Sequence, residues 1–298
     1  DHCLSRGLGD VYKRQVTEKT RAIFVESLAN PGGVIVDLEA IAKIAQEAEV
    51  PLIVDNTMAT PWLCRPFEWG ADLVVHSTTK FLSGQGNAMG GIVIDSGRFP
   101  WFGNAKYPSL SEPSPDYNGL TFAETFGDLA FTLYSHAVSL RDLGCTQSPM
   151  NAWITLNGVE TLPLRMERHV ENAQKVAGFL QQHPSVEWVS YAGLSSSPYY
   201  QLAQKYLQGK AGSVFTFGIR GGYESGLRLL EKVELFSHVS NIGDSRSLIL
   251  HPASTTHRQL SDEQRLTAGA GPEVIRLSVG IESAEDLIAD LEQALEGL

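Results

Sequence analysis

Two groups of polar residues stand directly after apolar, strand-like runs in the first third of the chain. In PLIVDNT, Asp55 follows the run LIV, and in ADLVVHSTTK the residues Ser77, Thr78, Thr79 and Lys80 follow the run LVV. Ligands of an open parallel sheet bind at the carboxyl ends of its strands. We therefore expect these side chains to meet at one edge of a sheet.

A lysine, a carboxylate and several hydroxyls are the groups that a pyridoxal phosphate site requires. The Lys80 amine can form a Schiff base with the aldehyde of that cofactor. An acid such as Asp55 keeps the pyridine nitrogen protonated, and short hydroxyl side chains can hold the phosphate. Most lysines are solvated surface charges, so the hypothesis depends on the neighbouring groups and not on Lys80 alone.

Four glycines after Lys80, namely Gly84, Gly86, Gly90 and Gly91, raise an alternative of another class, a nucleotide-phosphate-binding loop. In a P-loop the glycines precede the lysine and the loop opens a helix. Here the glycines follow the lysine and lead into the apolar run GIVID. The spacing therefore argues against nucleotide binding.

Strands and helices alternate around these residues. TRAIFVES, PLIVDNT, ADLVVHS and GGIVIDS have the character of short strands, and DLEAIAKIAQEAEV has the apolar spacing of an amphipathic helix. Nearly continuous apolar strands suit a parallel sheet that is covered on both faces. The pattern predicts a doubly wound α/β domain.

The rest of the chain predicts a long loop, two helical stretches and a smaller domain. Residues 98 to 119 have no period and many Pro, Gly, Ser and aromatic residues, which indicates an ordered surface loop. TFAETFGDLAFTLYSHAVSLRDLG and NAWITLNGVETLPLRMERHVENAQKVAGFLQQ are helical in pattern, the second with a break near Pro163. The strands SVFTFGI, SLILHP and VIRLSVGIE alternate with the helices GLRLLEKVELFSHV and SAEDLIADLEQALEGL, which predicts an α+β domain.

Composition excludes several classes of partner. The chain of 298 residues has a formal net charge of −11, which argues against nucleic acid and anionic membranes as partners. Cys3, Cys64 and Cys145 are widely spaced, which indicates neither a disulfide framework nor a zinc site and fits a reduced cytoplasm. No apolar run is long enough to cross a bilayer.

A series of motifs in a fixed order carries a resemblance to a known family. The series is VESLANPGG, VDNTMATP, HSTTKFLSGQGNAMGG, SPMNAWITLNGVETLPLRMERHVENA, NIGDSRSLILHPASTTH and IRLSVGIE. It resembles the Cys/Met-metabolism PLP-dependent enzymes over residues 16 to 298. The resemblance implies the type I PLP-dependent transferase fold, with a mostly parallel large-domain sheet at residues 16 to 160 and a smaller α+β domain at residues 161 to 298.

Carried over residue by residue, the resemblance implies roles at the site. Lys80 is then the Schiff-base lysine, Asp55 pairs with the pyridinium nitrogen, and Ser77 and Thr79 contact the phosphate. Arg276 would hold the substrate α-carboxylate through its bidentate guanidinium. The remaining implied contacts are to the cofactor from Glu26 and Asn30, and to the substrate from Asn30, Ser247 and Thr256.

The histidines predict no metal site. His251 and His257 in HPASTTH are six residues apart, but Pro252 breaks any helix that could align them. No carboxylate or cysteine nearby completes a ligand set. We interpret His76 and His169 as structural residues.

Within the family, YPSLSEPSPDYNGL and NIGDSRSLILHPASTTH resemble the branch that acts on O-acetylhomoserine. The resemblance implies replacement of acetate at the γ-carbon by sulfide or a thiol, which gives homocysteine or methionine. Methionine γ-lyase and cystathionine γ-synthase or lyase activities use the same residues and stay open as alternatives. Family analogy also implies a homotetramer with shared sites.

The first residues depart from the family pattern. Residues 1 to 15 lack its motifs, and we expect them to be an unrelated or disordered leader. The N-terminal arm, the glycine-containing phosphate turn and the aromatic residue that stacks on the cofactor are missing, which indicates an N-terminally incomplete reading frame. A further hypothesis is therefore a catalytically inactive fragment.

Overall fold

A computed structural model describes residues 13–298, and two β-sheets form its scaffold. The first sheet has the order β1-β2-β3-β4, in which β1 to β3 are parallel and β4 is antiparallel to β3. Its strands are β1 (Ile23–Glu26), β2 (Leu52–Asp55), β3 (Leu73–Ser77) and β4 (Gly91–Asp95). The four strands predicted before residue 97 are present, and the parallel strands end at one common edge.

The second sheet has the order β5-β6-β9-β8-β7 and is antiparallel except for the pair β7 and β8. Its strands are β5 (Val186–Ser190), β6 (Val214–Ile219), β7 (Ser237–His238), β8 (Leu248–Leu250) and β9 (Val274–Ser278). β6 and β9 are buried at every position, and each has a paired strand on both of its edges.

Twelve α-helices that lie wholly within residues 16–298 surround the sheets. They are α1 (Leu38–Glu47), α2 (Thr60–Leu63), α3 (Pro108–Ser111), α4 (Phe122–Phe126), α5 (Ala130–Tyr134), α6 (Arg141–Leu143), α7 (Pro149–Glu160), α8 (Leu162–Gln182), α9 (Tyr200–Tyr206), α10 (Gly222–Lys232), α11 (Asp262–Thr267) and α12 (Ala284–Leu295). α1 begins where sequence places it, since the Asp37 carboxylate accepts a hydrogen bond from the Ala40 N–H at 3.3 Å.

The break predicted near Pro163 lies between α7 and α8, at Thr161. Pro163 stands in the first turn of α8, where its missing N–H has no helical partner to lose. α8 has 21 residues and is therefore about 30 Å long, long enough to contact both sheets.

Two helix predictions differ from the structure. The stretch from residue 121 to 144 is divided into short segments, since Gly127 adopts φ +51° and ends α4. The predicted helix GLRLLEKVELFSHV ends at Lys232 as α10. Beyond it, the Asp290 carboxylate accepts the N–H groups of Glu234, Leu235 and Phe236 at 2.8 to 3.1 Å, which holds the backbone out of the helix.

The segment predicted as a surface loop at residues 98–119 contributes to a second core. Phe99 and Trp101 are buried and their rings are 4.4 Å apart, and Trp101 stacks on Phe131 at 5.4 Å. α3 lies within the segment and buries Leu110. Aromatic residues without a period therefore mark packing here, which periodicity alone does not detect.

The main hydrophobic core is continuous from one sheet to the other and includes Leu52, Val54, Phe215 and Leu277. The division into domains at residue 160 stays a prediction. Of the predicted leader at residues 1 to 15, residues 1–12 lie outside the described part. Among residues 13–298, no helix is long and apolar enough to cross a membrane.

Candidate functional site

Lys80 lies in a π-helical turn, Thr78–Leu82, that begins directly after β3. Its backbone leaves helical geometry at φ −92° and ψ −130°, so the turn is kinked at the lysine itself. The Lys80 Nζ donates a short hydrogen bond to Asn241 Oδ1, from the loop before β8. We call residues 78–84 the lysine turn.

The environment of Lys80 favours its neutral form. Burial lowers the pKa of the Lys80 amine from its ordinary value, and the positive charge of Arg276 lowers this pKa further. Both effects act against the ammonium form. A lysine with a lowered pKa is a better nucleophile and proton acceptor near neutral pH than a solvated one.

Two carboxylates face each other beside this turn, where β1 and β2 end. Glu26 and Asp55 are direct partners in the parallel register, so their side chains lie in one row on the same face. Burial raises the pKa of the Glu26 carboxyl, the Asn30 N–H bound to it at 3.2 Å lowers this pKa, and the charge of Asp55 raises it. The pair therefore combines one carboxyl group biased toward protonation with a second carboxylate.

Arg276 lies in the middle of β9, with 8% of its surface exposed. Its guanidinium donates to Asn30 Oδ1 at 3.3 Å and to the carbonyl oxygens of Ser240 and Asn241 at 3.3 and 3.2 Å. It forms no ion pair with a carboxylate of residues 13–298. These are long bonds to neutral acceptors, and a guanidinium so held is suited to an incoming carboxylate.

The hydroxyls after β3 differ in what they bind. Thr79 Oγ1 accepts from the Gly90 N–H at 3.1 Å, and the Ser77 N–H donates to Thr57 Oγ1 at 2.8 Å. Within the described residues Ser77 Oγ makes no hydrogen bond, and Thr78 Oγ1 is buried without a partner. Free hydroxyl groups therefore remain beside Lys80.

The structure brings six of the nine predicted site residues together at the edge of the sheet, and a seventh, Thr79, stands beside Lys80 in the turn. The other two, Ser247 and Thr256, have contacts elsewhere. Ser247 is buried, donates to Glu282 Oε2 at 2.9 Å and accepts from the Gly280 N–H at 2.8 Å. Thr256 is exposed and bonds to the neighbouring His257 at 2.9 Å. The contacts of Ser247 and Thr256 with a substrate stay predictions. The cluster at the edge contains Glu26, Asn30, Asp55, Ser77, Lys80 and Arg276.

The histidines bind backbone and hydroxyl groups. His251 Nε2 is 2.8 Å from the Pro272 carbonyl oxygen and its Nδ1 is 3.1 Å from Ser254 Oγ. His169 Nδ1 donates to the Val279 carbonyl oxygen at 2.7 Å. In the described part of the chain, no group of three His, Cys, Asp or Glu residues has the arrangement of a metal site.

Sequence reasoning missed two residues that contact the lysine turn. Asn241 stands at the start of the motif NIGDSRSLILHPASTTH, in which only Ser247 and Thr256 were predicted to contact the substrate. Arg165, in the motif LPLRMERH, donates to the Phe81 carbonyl oxygen at 2.8 Å. Each contact joins residues more than 80 positions apart, and no local pattern in one sequence encodes such a pairing.

Known proteins resemble this chain in sequence and in fold. A family model described as Cys/Met metabolism PLP-dependent enzyme matches residues 6–296, a match that starts ten residues before the resemblance described above. The chain is 48% identical over 306 aligned positions to O-acetyl-L-homoserine sulfhydrylase of Leptospira meyeri, with 100% of the chain and 69% of that protein covered.

Two further comparisons agree. The chain is 51% identical to O-acetyl-L-homoserine sulfhydrylase 1 of Thermus thermophilus, with 93% of the chain and 66% of that protein covered. A crystal structure from Campylobacter jejuni, assigned as an O-acetylhomoserine (thiol)-lyase and containing pyridoxyl-lysine-5′-monophosphate, superposes with a TM-score of 0.93 at 43% identity. It is matched over 97% of this chain and 69% of its own.

The chain thus spans about two thirds of the length of these relatives, with 69% of the first and 66% of the second covered. The likeness in structure confirms the predicted α/β class and the type I PLP-dependent transferase fold. The family match covers residues 6–296 and therefore includes Lys80, Asp55 and Arg276. The chain belongs to the Cys/Met metabolism PLP-dependent enzyme family.

Proposed function

We propose that this protein is a PLP-dependent transferase that replaces the acetate of O-acetylhomoserine with sulfide or a thiol, giving homocysteine or methionine. One observation carries the proposal: Lys80, Asn241 and Arg276 form a continuous set of contacts at the carboxyl edge of β1 to β3. The names of the relatives from Leptospira meyeri and Thermus thermophilus support the choice of substrate.

The residues at this edge fit pyridoxal 5′-phosphate. Lys80 offers an amine whose pKa is lowered, and Asp55 offers a carboxylate for the ring nitrogen. Ser77 has a hydroxyl without a partner in the described residues, and Thr79 stands two positions on for the phosphate. When bound, this cofactor supplies an electron sink that stabilises negative charge at the substrate Cα.

The protein's own groups then perform binding and proton transfer. The Arg276 guanidinium holds the α-carboxylate of the amino acid, exchanging its long bonds to carbonyl oxygens for a bidentate ion pair. With burial, which is the larger cause, its positive charge lowers the pKa of the Lys80 amine, because like charges oppose protonation. The neutral amine accepts the proton from substrate Cα and, once it has released that proton, accepts one from Cβ, which allows acetate to leave from Cγ with its electron pair; protons return to Cβ and Cα after sulfide or the thiol has added at Cγ.

Asn30 and Glu26 connect the two halves of the site. Asn30 accepts from Arg276 through Oδ1, while its N–H donates to Glu26 Oε2. A shift of Arg276 toward a substrate carboxylate would therefore change the hydrogen bonding of Asn30 and, through Asn30, that of Glu26 beside Asp55. We assign these two residues to orientation of the cofactor ring and of the substrate.

We further propose that the protein is a cytoplasmic homotetramer. Four apolar side chains of α7 are exposed at intervals of three residues: Met150, Trp153, Leu156 and Val159. Exposed apolar stripes of this length mark contact surfaces. Analytical ultracentrifugation tests the assembly, and a monomer at micromolar concentration contradicts it.

Two measurements on the purified chain test the activity. Borohydride reduction followed by peptide mapping is expected to place a pyridoxyl group on Lys80. An assay with O-acetylhomoserine and sulfide is expected to give homocysteine and acetate. Keto acid formed without a thiol would instead favour a γ-lyase activity, and an unmodified Lys80 would refute the proposal.

A further inference from the structure

The inner face of α8 carries three polar side chains that all bind backbone carbonyl groups of other elements. Arg165, His169 and Asn172 are spaced four and three residues apart, which places them in one row on a helix. The row contacts the lysine turn at one end and the residues after β9 at the other. We call it the α8 polar row.

At the first end, Arg165 holds the lysine turn. Its Nη1 donates to the Phe81 carbonyl oxygen at 2.8 Å, and its Nη2 donates to the carbonyl oxygens of Leu82 and Gly158 at 3.4 and 2.6 Å. Its Nε donates to Thr161 Oγ1 at 3.1 Å. The Phe81 and Leu82 carbonyls follow Lys80 directly and receive no backbone N–H within the described residues.

At the other end, the row holds the residues that follow Arg276. His169 Nδ1 donates to the Val279 carbonyl oxygen at 2.7 Å. Asn172 Nδ2 donates to the carbonyl oxygens of Gly280 and Glu282 at 3.0 and 2.8 Å. β9, which carries Arg276, ends just before these residues.

The middle of the row contacts the lysine turn a second time. The ring of His169 meets the ring of Phe81 edge to face, with centroids 5.3 Å apart. One side chain therefore touches both the residue after Lys80 and the backbone after β9. A movement of either end along α8 would disturb the other.

Two glycines allow the close approach that these bonds need. A Cβ at Gly158 would lie 2.3 Å from the Leu82 carbonyl oxygen and 2.6 Å from that of Ser83. A Cβ at Gly84, whose φ is +79°, would lie 2.4 Å from Arg165 Nη1. Both positions lie at the contact between Arg165 and the turn. The contact therefore depends on a glycine in each of two elements, Gly158 in α7 and Gly84 in the lysine turn.

Partial burial of the charged Arg165 side chain costs desolvation free energy, which a purely structural role does not require. The side chain is half-buried, and among the residues described it forms no ion pair with a carboxylate. Its charge is compensated only by carbonyl dipoles and one hydroxyl, and burial lowers the pKa of its guanidinium. An apolar residue would pack the same space with no charge to desolvate.

We propose that the α8 polar row fixes the Lys80 amine relative to the Arg276 guanidinium, with Arg165 as the positioning residue for the amine. The proposal rests on the proposed function, in which these two groups act on one substrate. Arg165 does not touch the reacting atoms. It acts through the backbone of the turn that carries Lys80.

The test compares Arg165→Met with Arg168→Met in the full chain. Arg168 is on the same helix but exposed, with Glu171 at 4.0 Å as its ion-pair partner, so its loss controls for charge and helix content. Each variant is mixed with pyridoxal 5′-phosphate from pH 6 to pH 10 and reduced with borohydride at timed intervals. Peptide mass spectrometry then gives the rate of modification at Lys80.

We expect Arg165→Met to slow attachment at Lys80 by about tenfold or more at neutral pH, since misplacement by 1 Å costs this order of rate. The pH midpoint of attachment is expected to move upward, because a displaced turn exposes the amine. In the assay with O-acetylhomoserine, kcat falls about tenfold and KM changes less. Arg168→Met stays within about twofold of wild type.

The outcomes separate the two proposals. A lower melting temperature with wild-type attachment rate and midpoint in Arg165→Met overturns the positioning role alone. A wild-type chain that leaves Lys80 unmodified overturns the proposed function and this inference together. If Arg165→Met does not fold, Arg165→Lys decides: it keeps the charge and one bond, so slowed attachment supports the role and a wild-type rate overturns it.

Discussion

The lysine turn and the HPASTTH segment, residues 251–257, both contain residues that sequence assigns to the site, yet distant side chains and backbone groups hold the first more than the second. The lysine turn is bound from distant parts of the chain: Arg165 binds the Phe81 carbonyl oxygen, and the Ser245 N–H donates to the Gly84 carbonyl oxygen at 2.8 Å. Nothing in the local sequence of the turn provides these bonds.

The HPASTTH segment is held mainly by itself. Ser254 Oγ and Thr255 Oγ1 both donate to the His251 carbonyl oxygen, at 3.2 and 2.8 Å, and Thr256 bonds to the adjacent His257. Local bonds of this kind define a turn but leave its position to the neighbouring elements. The comparison teaches that the turn with the reactive amine depends on non-local bonds in addition to its local ones, and four predictions test it.

The largest effect is expected from removal of the amine. Lys80→Ala should lower turnover of O-acetylhomoserine by at least about 1000-fold, since both attachment and proton transfer are lost. Lys43→Ala, on the exposed face of α1, is the matched control and should leave turnover unchanged. Turnover retained in Lys80→Ala would remove the lysine turn from the mechanism.

The second effect is on stability against pH and concerns His169 beneath the turn. Burial lowers the pKa of His169 to about 4, the Val279 carbonyl opposes this shift, and the charge of Arg165 adds to it. Between the ordinary His pKa and this value the unfolded chain binds more protons than the folded one, so stability falls as pH falls through this window. Over that window the loss is about 3 kcal/mol.

His169→Asn isolates this contribution, because the Asn side chain can still donate to the Val279 carbonyl oxygen but does not titrate. Denaturant unfolding at pH 7 and pH 4 is the measurement. We expect wild type to lose about 3 kcal/mol more than the variant between these pH values. Equal losses would mean that folding does not lower the pKa of His169.

The third effect concerns the space beside the turn. Gly158→Ala places a methyl group against two carbonyl oxygens of residues 82 and 83, and we expect a loss of about 1–3 kcal/mol in the free energy of unfolding. Gly178→Ala is the control, since nothing lies within 4 Å of a Cβ at that position in α8. It should gain about 0.5–1 kcal/mol. Equal changes in the free energy of unfolding for the two variants would show that the lysine turn shifts to accommodate the methyl group at little cost.

The smallest effects compare one threonine from each region. Thr79→Ala loses the bond from the Gly90 N–H and should weaken cofactor binding by about tenfold, measured by absorbance titration. Thr256→Ala removes an exposed hydroxyl bonded to its neighbour and should change KM for the amino acid by about threefold or less. The reverse order of effects would contradict the comparison.

Sequence predicted much of this site for one physical reason. Parallel strands end at a common edge, so Asp55 and Lys80 were expected together from the positions of two apolar runs, and the register of β1 with β2 adds Glu26. The role of Arg276 could be predicted only from the family resemblance, because the pattern of its strand does not show which distant part of the chain the arginine contacts. Asn241 and Arg165 could not be predicted, since their partners are 161 and 84 positions away.

The fold followed the same division. Short strands and the amphipathic helix α1 were predicted from the spacing of their apolar residues, and the structure adds the Asp37 cap of α1. The second core around Trp101 and the end of α10 were not, because aromatic clustering and the bonds of Asp290 depend on elements far along the chain. Local rules thus define elements, and long-range polar contacts decide where some of them stop.

The place where α7 meets α8 has a practical consequence for recombining this protein with its relatives. A crossover at residue 161 would look attractive, because it lies between helices and between the two sheets. It would, however, take the guanidinium of Arg165 from one parent and the carbonyls of the lysine turn from the other. A chimaera joined there inherits both sheets intact. The Arg165 side chain of one parent must still fit the backbone carbonyls of the lysine turn and of α7 from the other parent.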